Sequence, residues 1–336
     1  IGPGSKELMF LVQLVYYGDL VIPTPSWVSY APQANIIGRH IRWVPTRARD
    51  GWRLTPEGLE ELCRVDPTRP RILILNYPNN PSGTTYGQDE LQALAEVARR
   101  YRVILLSDEI YGEVRFDGNH QSIARYYPEG TIISAGLSKW CGAGGWRLGT
   151  FTFPRNLRWL LDAVSVVASE TYTSTSAPIQ HAAVRAYEGG IEIERYLSNS
   201  RRILGALAQA CRSRLLEAGA EVPESEGGFY LFPSFTPLRE ALLKRGITSS
   251  IEFCERLLKE TGVAILPGSE FGRPAAELTA RIAFVDFDGA RALVSAEQVP
   301  LDQPLPEDFV AAHCPRVVTA IDRLCDWLGD SGQATG

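Results

Sequence analysis

The chain has 336 residues, with 34 lysines and arginines against 39 aspartates and glutamates, a formal net charge of −5 at pH 7. That acidic balance argues against a nucleic-acid binder, and a composition of 45% hydrophobic and 22% charged residues excludes the disordered and fibrous classes. The length suits about two domains, or one large domain carrying a smaller one, with room for a sizeable cleft.

In chain order, the turn formers Gly2-Pro3-Gly4-Ser5 predict a helix over 8–17 with Ser5 as its cap, stopped by Gly18-Asp19. This is the best membrane-span candidate, and it is too short and interrupted by Gln13, so membrane insertion is excluded. Short apolar, β-rich runs follow at 20–22, 41–44, 72–75, 103–106, 132–134 and 148–153. They read as strands buried on both faces. Helical stretches separate them; in 89–100, Leu91, Leu94, Ala95 and Ala98 share one face. Strand and helix in alternation predict an α/β fold with a mostly parallel central sheet in a large domain over residues 1–188. From about residue 156 the pattern turns helical, and 191–217 reads as one long helix able to bridge two domains. Beyond it, strands at 221–222, 228–232, 263–266 and 281–285 alternate with helices at 250–261 and 307–328, which predicts a smaller α+β domain within residues 189–336. The stretch 289–306, with Pro300 and Pro304, reads as a surface loop.

Six cysteines, at 63, 141, 211, 254, 314 and 325, include no pair at metal or redox spacing, and the four histidines are scattered. Reduced thiols in a cytoplasmic protein without a structural metal are the expectation. The chain opens at Ile1 with no secretion-signal pattern.

Four segments carry candidate chemistry. Asn76-Tyr77-Pro78-Asn79-Asn80-Pro81-Ser82-Gly83 follows a strand, and its prolines and glycine stiffen a turn that can aim an Asn at a ligand; an ordinary strand-to-helix loop would read the same way. Ser107-Asp108-Glu109-Ile110-Tyr111 ends the next strand, 103–106, where a carboxylate could hold a cationic ring nitrogen or simply cap the strand. Lys139, after Ser134-Ala135-Gly136-Leu137-Ser138, precedes a glycine-rich loop with Arg147 eight residues on. Desolvation would lower its amine pKa and suit Schiff-base chemistry, while a solvated lysine beside a mobile loop is the plainer alternative. Gly2 to Lys6 opens the first helix, whose free N–H groups suit a phosphate, although any helix cap looks alike and the Walker spacing is absent.

Together and in this order, N-Y-P-N-N-P-S-G, D-E-I-Y and S-K followed by G-W-R-L-G resemble the class I/II aminotransferases of pyridoxal-phosphate fold type I, over residues 4–284. The resemblance implies a fold-type-I transferase that exchanges an amino group between an amino acid and a 2-oxo acid by a ping-pong mechanism, as a cytoplasmic homodimer with active sites near the interface. It implies that Lys139 is both the Schiff-base lysine and the catalytic proton carrier, that Asp108 pairs with the pyridinium nitrogen, and that Asn80 and Tyr111 hydrogen-bond the ring's phenolic oxygen. Gly4, Ser5, Ser138 and Arg147 would clamp the phosphate with Lys6 as an addition, and Trp27 would stack on the ring. Arg281 would grip the substrate α-carboxylate beside Asn80. Glu226-Gly227-Gly228-Phe229 resembles the family's glycine-rich approach to the site, with a backbone or packing role.

Family members carry several tens of residues before the phosphate turn that here occupies residues 2–6, so an N-terminal segment is expected to be missing. Gly136 stands where many members have a phosphate-binding Ser or Thr, with Ser138 as substitute. Residues 170–174 lack the Arg that some dicarboxylate-specific members use, which argues against that mode of aspartate recognition, although other branches read the same substrate differently, and leaves the amino donor open. A carbon–sulfur β-lyase on the same scaffold, or a non-enzymatic regulatory domain, are the alternatives.

Overall fold

Apolar runs without polar alternation make strands that need cover on both faces. In the computed structural model, which describes residues 1–329, six such strands form one sheet in the order β2-β1-β3-β4-β5-β6. They are β1 (Asp19–Thr24), β2 (Ile41–Pro45), β3 (Arg71–Asn76), β4 (Ile104–Asp108), β5 (Thr131–Gly136) and β6 (Gly149–Thr152). β1 to β5 run parallel and β6 pairs antiparallel with β5. Successive side chains leave opposite faces. Val21, Leu73, Leu75 and Leu105 enter a core closed by the helices Pro56–Arg64 and Gln88–Arg100. Leu20, Ile22, Ile72, Ile74 and Leu106 enter a second core closed by Ser5–Val15 and Arg158–Thr171. The α/β reading and its mostly parallel sheet therefore hold.

Strand order turns back between β1 and β3, and a crevice opens at the carboxyl ends of the strands there. The register is what matters for chemistry. Asn76 pairs with Asp108, and Asp108 with Ser134, so three polar residues stand abreast at the ends of β3, β4 and β5. Asn76 thus belongs to the strand rather than to the turn after it.

The long helix Ile191–Glu217 and the helix Ser250–Thr261 lie where the sequence predicts them, the latter started by a Ser249/Glu252 capping box. They pack on β7 (Tyr230–Leu231), β8 (Leu266–Pro267) and β9 (Ala280–Ala283), an antiparallel sheet in the order β7-β9-β8. Leu207, Phe235, Phe253, Leu257 and Leu324 share this third core.

Several boundaries differ from expectation. The first helix spans Ser5–Val15 rather than 8–17, and its N-cap is Gly4, not Ser5, because the entry needs φ 99°, a conformation open to glycine. Residues 221–222 form only a bridge from Glu221 to Ser234, and β8 begins at Leu266 rather than at 263. The expected loop 289–306 contains a helix, Gly289–Ala296: Asp288 accepts a capping bond from the Arg291 N–H at 3.0 Å, and Ala292 and Ala296 are buried one turn apart. The predicted helix 307–328 is split into Phe309–His313 and Pro315–Gly329 at Pro315, which has no N–H to continue the first. No helix among the described residues is long and apolar enough to cross a membrane.

Candidate active site

A cavity of about 310 Å³ sits at the crevice. Ser5, Lys6, Trp27, Asn80, Asp108, Tyr111, Ser138, Lys139 and Arg147 all line it, so residues from four separate sequence segments and the Trp27 loop meet as expected. Gly4 lies immediately behind the wall: a Cβ there would meet Arg147 Nη2 at 2.0 Å. Arg281 stands at the edge, its Nη1 donating to Asn80 Oδ1 at 3.2 Å. Asn76, Ile110 and Gly144, which lie in the candidate segments without an assigned role, and Tyr30, which lies outside them, complete the lining.

The deep end is built around Asp108, 3% exposed. Tyr30 donates its hydroxyl to Oδ2 at 2.6 Å, and Ser134 donates to Oδ1 at 3.2 Å. Asn76 reaches across the register to the Asp108 carbonyl at 2.9 Å and accepts the Asn80 N–H at 2.8 Å, which aims the following turn. Burial pushes the Asp108 carboxyl up to about 6 despite the hydrogen bonds from Tyr30, Ser134 and the Ile110 N–H, which pull it down. A carboxylate so placed favours a cation beside it, and no salt bridge to it is formed among the described residues. Its neighbour Glu109 faces elsewhere, accepting from Ser107 at 2.8 Å and Ser122 at 2.5 Å and pairing with His120 at 2.8 Å.

Lys139 follows β5 in a loop closed at its neck, where Leu137 N–H donates to the Leu148 carbonyl at 3.3 Å and Gly149 exchanges two 2.9 Å bonds with Gly2. Its Nζ lies 5.7 Å from the Tyr111 ring and 5.9 Å from the Phe229 ring, with no carboxylate paired to it among the described residues. Desolvation lowers its pKa, and Arg281, Arg147 and Lys6 add to the effect, while Asp108 opposes it. The shift favours the neutral, nucleophilic form of this amine.

The shallow end is an anion seat. Arg147 holds a left-handed backbone at φ 56°, tied by Nη2 to the Pro3 carbonyl at 3.0 Å and by Nη1 to the Gly144 carbonyl at 2.7 Å. Such a φ is uncommon outside glycine and stores strain at functional sites. Ser5 opens the first helix, whose leading N–H groups have no side-chain cap. A Cβ at Gly149 would lie 2.3 Å from the Ser5 nitrogen, so this seat exists only because glycine stands at both 4 and 149. Trp27 lies edge-on to Tyr30, ring centroids 5.3 Å apart, with Lys6 Nζ 5.1 Å from the indole centroid. An anion seat, a reactive amine, a flat aromatic wall and a buried carboxylate in that order fit a phosphorylated pyridine aldehyde.

Arg281 comes from β9 and is clasped between the Tyr230 and Phe271 rings, 4.7 and 5.0 Å from their centroids. Its Nε is buried without a partner, and burial lowers its pKa. Glu226-Gly227-Gly228 packs, as expected: Glu226 and Gly227 N–H groups both donate to the Gly83 carbonyl, at 2.8 and 3.1 Å, and hold the Asn80 turn against the second sheet.

The family model for aminotransferase class I and II matches residues 1–295. An aspartate aminotransferase of Geobacillus stearothermophilus is 34% identical over 279 residues, 81% of this chain and 68% of that one. The aromatic aminotransferase of Pyrococcus horikoshii superimposes with TM-score 0.78 at 28% identity, covering 98% of this chain and 79% of its own. The aspartate aminotransferase of Thermus thermophilus solved with maleate gives TM-score 0.77 at 25% identity, covering 97% and 74%.

The folded chain holds the Asp108 proton up to about pH 6 against an ordinary 3.8, so the folded state binds the extra proton in that window and stability falls as pH rises through it. Asp108→Asn in the cofactor-free protein is therefore expected to raise the melting temperature at pH 8, by up to about 3 kcal/mol of stability, and to leave it unchanged near pH 3. Equal melting of the two proteins at pH 8 would refute the desolvation of Asp108.

Proposed function

The chain belongs to the class I and II aminotransferases, and from that premise we propose that its cavity takes a dicarboxylic amino acid as amino donor. It is a pyridoxal-phosphate-dependent enzyme that exchanges an amino group between an amino acid and a 2-oxo acid. The bound cofactor supplies an aldehyde carbon that takes up the amino group and a cationic ring that accepts the electron pair left at the substrate α-carbon. Lys139 Nζ would hold it and, as a free amine, would remove and return the proton at the substrate α-carbon. Asp108 would pair with the ring nitrogen and favour its protonated form, which would in turn offset the cost of burying the carboxylate. Asn80 and Tyr111 would hydrogen-bond the ring oxygen, Trp27 would lie against the ring, and Gly4, Ser5, Ser138 and Arg147 would hold the phosphate. Arg281 receives the α-carboxylate on its free donors, and Phe271 and Tyr230 keep water from its faces.

The relatives differ in the substrates their names carry, so specificity is read from the cavity. Around the Lys139 amine, the cations Lys6, Arg147 and Arg281 outnumber the one carboxylate, Asp108. Phosphate and α-carboxylate engage Arg147 and Arg281. Lys6 has no carboxylate partner among the described residues, and its compact ammonium lies at the mouth over Trp27, placed for a side-chain carboxylate. This observation carries the dicarboxylate reading.

Supporting a homodimer, the helices Arg158–Thr171 and Ala177–Glu188 present Trp159, Val166, Val184 and Tyr187 at 46–66% exposure, apolar surface that a second copy would cover. A large cofactor-binding domain over 1–188 and a bridging helix with a smaller domain over 189–336 accord with the separate cores. All six cysteines are free, four of them buried, in keeping with a cytoplasmic setting.

Lys139→Ala should abolish transamination and the absorbance band of the bound cofactor; a coloured, active variant would overturn the assignment. Lys6→Gln should raise KM for aspartate about tenfold or more while leaving alanine or phenylalanine within about twofold, a charge-assisted bond being lost; an equal effect on every donor, with weaker cofactor retention, would instead place Lys6 on the phosphate. Sedimentation at micromolar concentration should give a dimer, and a monomer would remove that part of the reading.

A further inference from the structure

Tyr230 lies on β7, 6% exposed, and takes part in two contacts of the site without lining the cavity. Its hydroxyl is 3.1 Å from the Tyr111 hydroxyl. Its ring face lies 4.7 Å from the Arg281 guanidinium. Arg281 in turn donates to Asn80, and the Asn80 side chain hydrogen-bonds Tyr111, so the four residues close a ring around one wall of the site.

The direction of the Tyr111–Tyr230 bond follows from proton accounting. Burial keeps both phenols protonated at neutral pH, outweighing the Tyr111 hydroxyl and the Arg281 charge, which pull the Tyr230 value down. Two protons therefore serve two oxygens, and only one can lie between them. If Tyr111 donated, the Tyr230 proton would have no acceptor, since its hydroxyl has no second hydrogen-bond partner among the described residues. A buried donor without a partner is disfavoured. If Tyr230 donates, the spare proton belongs to Tyr111, which does line the cavity.

We propose that Tyr230 is a positioning residue serving both ends of the reacting molecule: its hydroxyl donates to Tyr111 Oη and turns the Tyr111 proton into the cavity, and its ring seats the Arg281 guanidinium. The inference rests on the aminotransferase reading of the site and assigns a task to a residue that touches neither cofactor nor substrate. The charged groups facing the tyrosine pair are Lys139, 5.7 Å from the Tyr111 ring, together with Asp108 and Arg281. None of them offers Tyr111 a substitute donor, apart from the Asn80 amide already in the ring.

The two tasks separate by substitution in the cofactor-loaded enzyme. Tyr230→Phe removes the hydroxyl and keeps the ring. It should lower kcat about five- to tenfold, leave KM for the amino acid within about threefold, and shift the pH midpoint of the loaded, substrate-free enzyme's absorbance change by about half a unit. Tyr230→Leu removes the ring as well and should also raise KM about three- to thirtyfold. In a Tyr111→Phe background, Tyr230→Phe should change neither kcat nor the midpoint further. An unchanged midpoint and kcat in Tyr230→Phe, or an effect that persists undiminished in the Tyr111→Phe background, overturns the inference while a wild type that loads normally leaves the site assignment standing. A wild type that takes up no pyridoxal phosphate overturns both.

Discussion

A carboxylate with almost no access to water stands at the point on which this architecture converges. Asp108 can be ionised there only if something replaces its lost hydration, and the sheet supplies part of the replacement through register. Parallel pairing sets Asn76 and Ser134 on either side of it, and the Tyr30 hydroxyl closes from above. Those dipoles offset the burial incompletely, and the carboxyl stays raised to about 6. The remaining deficit is a preference for a cation at that end of the cavity. In the proposed reading a protonated ring nitrogen would meet it, and the bound group would be stabilised in the charge state its chemistry requires. Lys139 is tuned oppositely by the same physics, because burial among other cations favours the neutral amine.

The two halves of the chain divide the work. The parallel sheet and its loops shape the cavity around Asp108 and Lys139, whereas the Arg281 guanidinium, proposed above to receive the substrate carboxylate, comes from β9 in the second, antiparallel sheet. Asn80 joins them, reached by Asn76 from one side and by Arg281 from the other. The Glu226–Gly228 strip presses the turn carrying Asn80 against the second sheet through the Gly83 carbonyl. A small rotation of one half against the other would therefore alter substrate and cofactor contacts together.

What the amino-acid pattern discloses is whatever local rules determine. The helix Ile191–Glu217 has its period, Ser250–Thr261 has its capping box, and the buried strands have their apolar runs. The motif residues from Ser5 to Arg147 also meet as their order suggests, because each stands beside the carboxyl end of a strand or at a helix start. Tyr30 and Tyr230 leave no such trace. Tyr30 bonds a residue 78 positions away, and Tyr230 one 119 positions away, contacts that only strand order and domain packing create. The helix Gly289–Ala296 escapes for a different reason: the prolines at 300 and 304 and the polar residues between dominate the window, and the Asp288 cap with two buried alanines is too faint beside them.

The loop that carries Lys139 is fastened at its neck by Leu137, Leu148, Gly149 and Gly2, while its far rim is nearly bare. A side chain at Gly145 would find no atom within 4 Å, and one at Gly144 only the Ser138 carbonyl at 3.5 Å. A side chain can therefore be added at Gly145 without pushing the amine aside, whereas at the stem one on Gly149 would collide with Ser5 and one on Gly2 with Leu8.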